Sequence, residues 1–252
     1  MPKPPLIRTI DEHFEIPQLI KTRRITALLP ADYDRTDRRY PVLYLQDGQN
    51  LFDDHAPFGS WEVDKHLARM SDEGTGDLIV IAIDHAHEER IAEYTPSVKT
   101  RLGKGDGLQY ADFLAHTLKP YVDAHFRTLP DRANTGIGGS SMGGLISLYA
   151  ALRHPDVYSR LLIFSPSLWV SPKLPYEFLN DALTFHGRIY LYGGAREGSD
   201  MVRHLRQFED WTRPHAHRIA LKTHIRDDGE HNEFNWGRVF PEAVDYLYSR
   251  QH

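Results

Sequence analysis

Two short stretches and one loop hold residues that chemistry could use together. The first stretch is Gly139-Ser140-Ser141-Met142-Gly143, a G-x-S-x-G pattern followed by Gly144. Such a pattern is common, and it carries weight only when a strand runs into it and a helix runs out. Residues 134–139 read as that strand, and Leu145, Ile146, Leu148, Tyr149 and Leu152 mark the helix. The turn between them holds a serine hydroxyl proud of a sheet, at a helix N-terminus where negative charge is stabilised. Gly139 and Gly143 leave space where a side chain would meet neighbouring backbone. Ser141 is the expected nucleophile. Ser140 is its rival, one step off the turn, and a glycine-rich turn closing a Rossmann-like unit is the plain alternative.

A serine hydroxyl is a weak nucleophile until an imidazole accepts its proton. Where a G-x-S-x-G serine tops such a sheet, the partners follow in the order serine, acid, histidine, each after a later strand. That order prunes fifteen histidines. His154 precedes Pro155 at a helix end and reads as a capping or surface residue; His217 and His224 flank or sit within the last strand. His231 lies in Asp228-Gly229-Glu230-His231-Asn232, after that strand and before the final helix, where the base belongs. The acid should follow the strand at 189–192, and Glu197 is the only carboxylate in Gly193-Gly194-Ala195-Arg196-Glu197-Gly198. Asp227 and Asp228, closer to His231 along the chain, compete with it. Two backbone N–H groups must meet the developing oxyanion. Met142 is expected to supply one, and Gly48 or Gln49, in the loop after the first parallel strand, the other.

The elements that must position these residues alternate between strand and helix, as in an α/β fold with a mainly parallel sheet and helices on both faces. A region rich in β-branched residues, 20–29, is expected to form an antiparallel edge. Residues 41–45 and 78–83 read as strands buried on both faces. Phe113, Leu114, Leu118, Tyr121, Val122 and Phe126 give a helical stripe interrupted by Pro120. Strands at 161–164 and 189–192, a helix at 199–211, a strand at 219–225 and a closing helix through Trp236, Phe240, Val244 and Leu247 complete the pattern.

The 252 residues fit one domain, 1–252, and 40% hydrophobic residues suffice for a sizeable core. Thirty Lys+Arg against thirty-five Asp+Glu, with no long basic run, lack the charge that nucleic acid demands. The absence of cysteine excludes disulfides, thiolate metal sites and a cysteine nucleophile. No stretch approaches the ~20 apolar residues that span a bilayer, and the first thirty residues hold no signal-like run. A cytoplasmic enzyme acting on a small molecule, with neither membrane nor nucleic-acid partner, is expected.

Four motifs in order carry a family resemblance: Tyr44-Leu45-Gln46-Asp47-Gly48-Gln49-Asn50-Leu51-Phe52-Asp53, Gly138-Gly139-Ser140-Ser141-Met142-Gly143-Gly144, Ser165-Pro166-Ser167-Leu168-Trp169 and Gly229-Glu230-His231-Asn232-Glu233. From about residue 20 to 248 the chain resembles the α/β-hydrolase family of enterochelin (siderophore) esterases, feruloyl and acetylxylan esterases, and S-formylglutathione hydrolase of the esterase D type. The resemblance implies the α/β-hydrolase fold and hydrolysis of carboxylic esters through an acyl-enzyme, without a cofactor. It puts Ser141 and His231 on the family's catalytic motifs and Glu197 on its less regular acid position. Gln46 departs from the histidine that many relatives carry there.

Asp53-Asp54-His55 and His85-Ala86-His87-Glu88 resemble metal ligands, but His85 and His87 are two apart rather than four, so no metal is expected. Trp61, Tyr94, Trp169 and Trp236 are candidates for lining a substrate pocket, and each is equally plausible as core. About twenty residues after Phe164 are too few for a large helical lid, so short or water-soluble esters are expected. An acyltransferase sharing the same residues is the second reading, and a hydrolase-fold binding protein the third. Loops such as 84–101 would set which ester is taken.

Overall fold

The computed structural model describes residues 3–56, 58–173 and 185–249. Within them, eight strands form one sheet: β1 (Leu6–Ile16), β2 (Lys21–Leu29), β3 (Val42–Gln46), β4 (Ile79–Ile83), β5 (Thr135–Ser140), β6 (Arg160–Phe164), β7 (Gly187–Gly194) and β8 (Ile219–Arg226). Their order across the sheet is β1-β2-β4-β3-β5-β6-β7-β8. The six strands from β3 to β8 are parallel, and β2 joins them antiparallel through β4. β3 thus lies where the strand order reverses, and the crevice beyond the carboxyl ends of such strands is where open α/β sheets take their ligands.

Every residue of β3 and β4 is buried, as their unbroken apolar runs require when helices cover both faces. Alternate residues divide between two cores. Val42 and Tyr44 join one, with Tyr110, Leu145, Leu148 and Phe208 from α3 (Gly107–Phe113), α5 (Met142–Arg153) and α6 (Ser199–Thr212). Leu43 and Leu45 join the other, with Leu67 and Met70 from α1 (Val63–Asp72) and Phe240, Val244 and Leu247 from α7 (Glu233–Tyr248). Each such side chain contributes about 2 kcal/mol on burial.

Two elements differ from the sequence reading. Residues 20–29 were expected at the sheet edge, yet β1 lies outside β2 and occupies that edge. β1 shifts register between Thr9 and Asp11 and again before Phe14, and these irregularities erase the two-residue alternation that marks a strand. Pro120 does not break its helix either. The chain runs from α3 through a π-helical turn, Leu114–Leu118, directly into α4 (Lys119–His125). Pro120 falls in the first turn of α4, just after the wider turn, where its missing N–H is best tolerated.

The segment expected to be too short for a lid includes residues 174–184, which lie outside the described residues. Among the described residues, no helix is long and apolar enough to cross a membrane.

Candidate active site

Ser141 sits alone between the end of β5 and the start of α5, with φ 56° and ψ −123°. A positive φ is unfavourable for a residue with a side chain and persists only where the surroundings impose it. Here the Ser141 N–H donates to Phe164 O (3.0 Å), while its carbonyl accepts from Leu145 N (3.1 Å) and Ser167 N (3.0 Å). The flanking glycines permit the turn. A Cβ on Gly139 would lie 2.9 Å from the Gly143 carbonyl carbon, and one on Gly143 would lie 2.8 Å from Asp47 Oδ2. The Ser141 hydroxyl is 3.3 Å from that of Ser167.

His231 and Glu197 come together from separate loops. His231 Nδ1 lies 2.6 Å from Glu197 Oε2. Glu197 sits on a short 3-10 turn after β7, and its other oxygen accepts from the Gly194 N–H and the Ser165 hydroxyl, both at 2.7 Å. The carboxylate is therefore held at both oxygens, with its side chain 1% exposed against 42% for His231. Asp228 turns instead to Arg226, at 2.8 and 3.0 Å, and Asp227 is exposed. The chain segments that carry Glu197 and His231 touch backbone to backbone: a Cβ on Gly194 would lie 2.2 Å from Gly229 C and O, and Arg196 N donates to Gly229 O at 3.0 Å.

Ser165 follows β6 with φ 41°, and its hydroxyl, donating to Glu197, also accepts from Trp236 Nε1 at 2.9 Å. The Trp236 ring stands edge-on to the His231 ring, with centroids 4.9 Å apart. Ser165 and Ser167 were not singled out from the sequence as site residues. The Ser-Pro-Ser motif was visible, but nothing in it says that one hydroxyl would join loops from three strands.

Ser141 and His231 line one cleft of about 630 Å³ at the carboxyl ends of the strands. Its walls include Asp47, His85, His87, Arg90 and Glu233, with Phe58 and Ile91 as exposed apolar residues. Asp47, left-handed at φ 59°, takes a two-pronged ion pair from Arg90, Nε–Oδ1 2.6 Å and Nη2–Oδ2 2.8 Å. Burial works against the Arg90 charge, but the Asp47 carboxylate outweighs it and raises the guanidinium pKa further above its usual value. Burial holds the His85 imidazole below its usual range, and it raises the Glu233 carboxyl above its own. Residues 85–88, whose spacing speaks against a metal site, contribute His85, His87 and Glu88 to the cleft wall.

The remaining candidates separate. Met142 is the first residue of α5, with a buried side chain. Gln49 clamps the loop after β4 through its amide, accepting from His85 N (2.9 Å) and donating to His85 O (3.1 Å). At Gly48 a Cβ would lie 2.6 Å from Asp84 Oδ1 and 3.0 Å from the Ile83 carbonyl carbon. Of the four aromatics, Trp236 lines the cleft. Trp61 is 2% exposed and stacks on Phe164, so it belongs to the core. Tyr94, fully buried behind Arg90 and against Tyr110, does likewise. Trp169 is exposed, two residues beyond Ser167. Gln46, the departure from the family pattern, accepts a hydrogen bond from the Tyr110 hydroxyl at 2.7 Å.

A mainly parallel sheet that reverses at β3, a serine at a strand-to-helix turn and later loops that bring a carboxylate to an imidazole define an α/β-hydrolase fold. The chain belongs to the Esterase family, described as "Putative esterase", whose model matches residues 17–245. It is 24% identical over 242 residues to uncharacterized protein YbbA of Bacillus subtilis, covering 90% of this chain and 93% of that one. It is 26% identical over 137 residues to the siderophore triacetylfusarinine C esterase of Aspergillus fumigatus, covering 51% of this chain and 44% of that protein. The enterobactin esterase of Shigella flexneri, crystallised in the presence of enterobactin, superposes with a TM-score of 0.77 at 21% identity. That match covers 98% of this chain and 60% of the other. The chain thus spans less than two thirds of the length of each of these two named esterases.

Proposed function

We propose that this protein is a serine carboxylic-ester hydrolase that works through an acyl-enzyme on Ser141. The observation that carries the proposal is the Glu197 carboxylate, bound at one oxygen by Gly194 and Ser165 and set 2.6 Å from His231 Nδ1 at the other. A carboxylate so held fixes the imidazole with its Nδ1–H toward the acid, which leaves Nε2 as the proton acceptor. The Ser141 oxygen attacks the ester carbonyl carbon while its proton passes to Nε2. The developing oxyanion is met by the Met142 N–H at the start of α5 and by an N–H of Gly48 or Gln49. Collapse breaks the C–O bond, and the imidazolium returns its proton to the leaving alcohol. Water repeats the sequence on the acyl-enzyme and releases the acid.

The cleft favours a small, water-soluble ester with an apolar part against Phe58, Ile91 and Trp236 and a polar part near His85 and Arg90. Siderophore, feruloyl and acetyl-sugar esters all have that division. The test is intact-mass analysis after a fluorophosphonate, beside turnover on a panel of these esters. One adduct, lost in Ser141→Ala, is expected; labelling that persists in that variant would overturn the assignment.

A further inference from the structure

At the opposite end of α5 from Ser141, about 18 Å along a helix of 12 residues, lies a second cluster of polar side chains. We infer that Asp112, His116 and His154 form a binding site for a divalent transition metal, for which Zn²⁺ is the best match. One ligand atom from each side chain lies within 4.8 Å of the other two, the single such group of three among the described residues. Asp112 and His116 are four residues apart, from α3 into the π turn, and so project from one side of that helix. His154 closes the C-terminal end of α5 and faces them.

His154 caps the C-terminal end of α5, as its place before Pro155 suggests, but it is not a surface residue: it is 8% exposed. Its Nε2 is buried and lies 2.9 Å from Asp112 Oδ1, so these two ligand atoms are already held side by side. A cation between them would bind both. Zinc bonds of roughly 2.0–2.1 Å separate tetrahedral ligand atoms by about 3.3 Å, close to the spacing already present between His154 and Asp112. His116 is exposed, and its ring stands at 86° to that of His154 with centroids 4.7 Å apart. Rotation of this exposed ring brings its nitrogen to the shared point without disturbing the core.

Two imidazoles and one carboxylate select against Mg²⁺ and Ca²⁺, which take oxygen ligands, and suit Zn²⁺ with water in the fourth position. The site is remote from the cleft, so its effect is to tie the π turn to α5 rather than to enter the reaction. A metal seated there stabilises the folded chain by mass action.

The experiment uses the full chain, stripped with a chelator and dialysed, then titrated with Zn²⁺ by calorimetry and melted with and without the ion. One equivalent should bind, and Tm should rise by roughly 5 °C at about a hundredfold excess over Kd. His116→Ala and Asp112→Asn change residues outside the core, so both should fold, and each should weaken Zn²⁺ by at least about tenfold and remove the rise in Tm. Failure of the wild type to take up one equivalent would overturn the site. So would uptake that persists undiminished in both variants, since the ion would then belong to other side chains.

Discussion

Asp47–Arg90 and Glu197–His231 each set a carboxylate against a nitrogen-bearing side chain that lines the same cleft, and they are built to opposite ends. In the first, a guanidinium fork meets both carboxylate oxygens, so the carboxylate is engaged at both ends by one partner. Arginine never titrates in a protein, so that pair can only hold shape. In the second, the carboxylate gives one oxygen to Gly194 and Ser165 and only the other to the imidazole. The imidazole is half in water and keeps a ring nitrogen that Glu197 does not engage. A saturated pair fixes a loop, while an unsaturated one can pass a proton. The contrast teaches that burial and charge alone do not mark a reacting pair; the valence left unused does.

The largest break should come from Ser141→Ala, which removes the group that the unsaturated pair would serve. Turnover of any ester substrate should fall by at least about 10³-fold with little change in Tm. A loss below tenfold would leave the second pair without a reaction. Next, Glu197→Gln should lower kcat by about 10²–10⁴-fold by favouring the wrong imidazole tautomer. Asp228→Asn, which loosens an exposed partner of Arg226, should stay within about twofold in the same assay. The reverse ranking would move the acid to the loop of His231 itself.

The first pair should respond in stability. Arg90→Met strands a carboxylate that is 8% exposed, at a cost of about 3 kcal/mol, seen as a Tm lower by roughly 6 °C. An unchanged Tm would mean that Asp47 does not depend on its partner. Smallest is Ser165→Ala, which removes one of the two donors to Glu197 Oε1. It should lower kcat about tenfold while KM stays put, whereas an effect on KM alone would place Ser165 in binding rather than in positioning.

Much of the frame was legible because its signals are local. The apolar runs of β3 and β4 and the strand, serine and helix around residue 141 can be read without tertiary context. So can the placing of Glu197 after β7 and of His231 after β8, since strand order alone brings those loops together. What was not legible depends on which side of an element faces solvent or on partners far along the chain. Tyr94 and Trp61 are aromatic residues near strand ends, and only packing shows them behind the cleft rather than in it. Arg90 has no local signal, because its partner Asp47 lies 43 positions away. His154 does cap α5, as Pro155 after it suggests, but its burial beside Asp112 of α3 has no local signal. β1 escaped because its bulges destroy the alternation that would have revealed it.

The Gly194–Gly229 contact carries a consequence for how such a scaffold can change. With no side chain between the two loops, the gap from carboxylate to imidazole is a backbone dimension, and repacking nearby cannot trim or widen it. A methyl group at either glycine would act as a shim, pressing apart the end of β7 and the chain before His231. The cleft wall is made differently, from side chains such as Phe58 and Ile91 that stand in solvent and can be exchanged at little cost in stability. On the proposed function, machinery and selectivity would therefore sit on independent tolerances. One is machined into the main chain; the other remains adjustable, residue by residue, as the ester on offer varies.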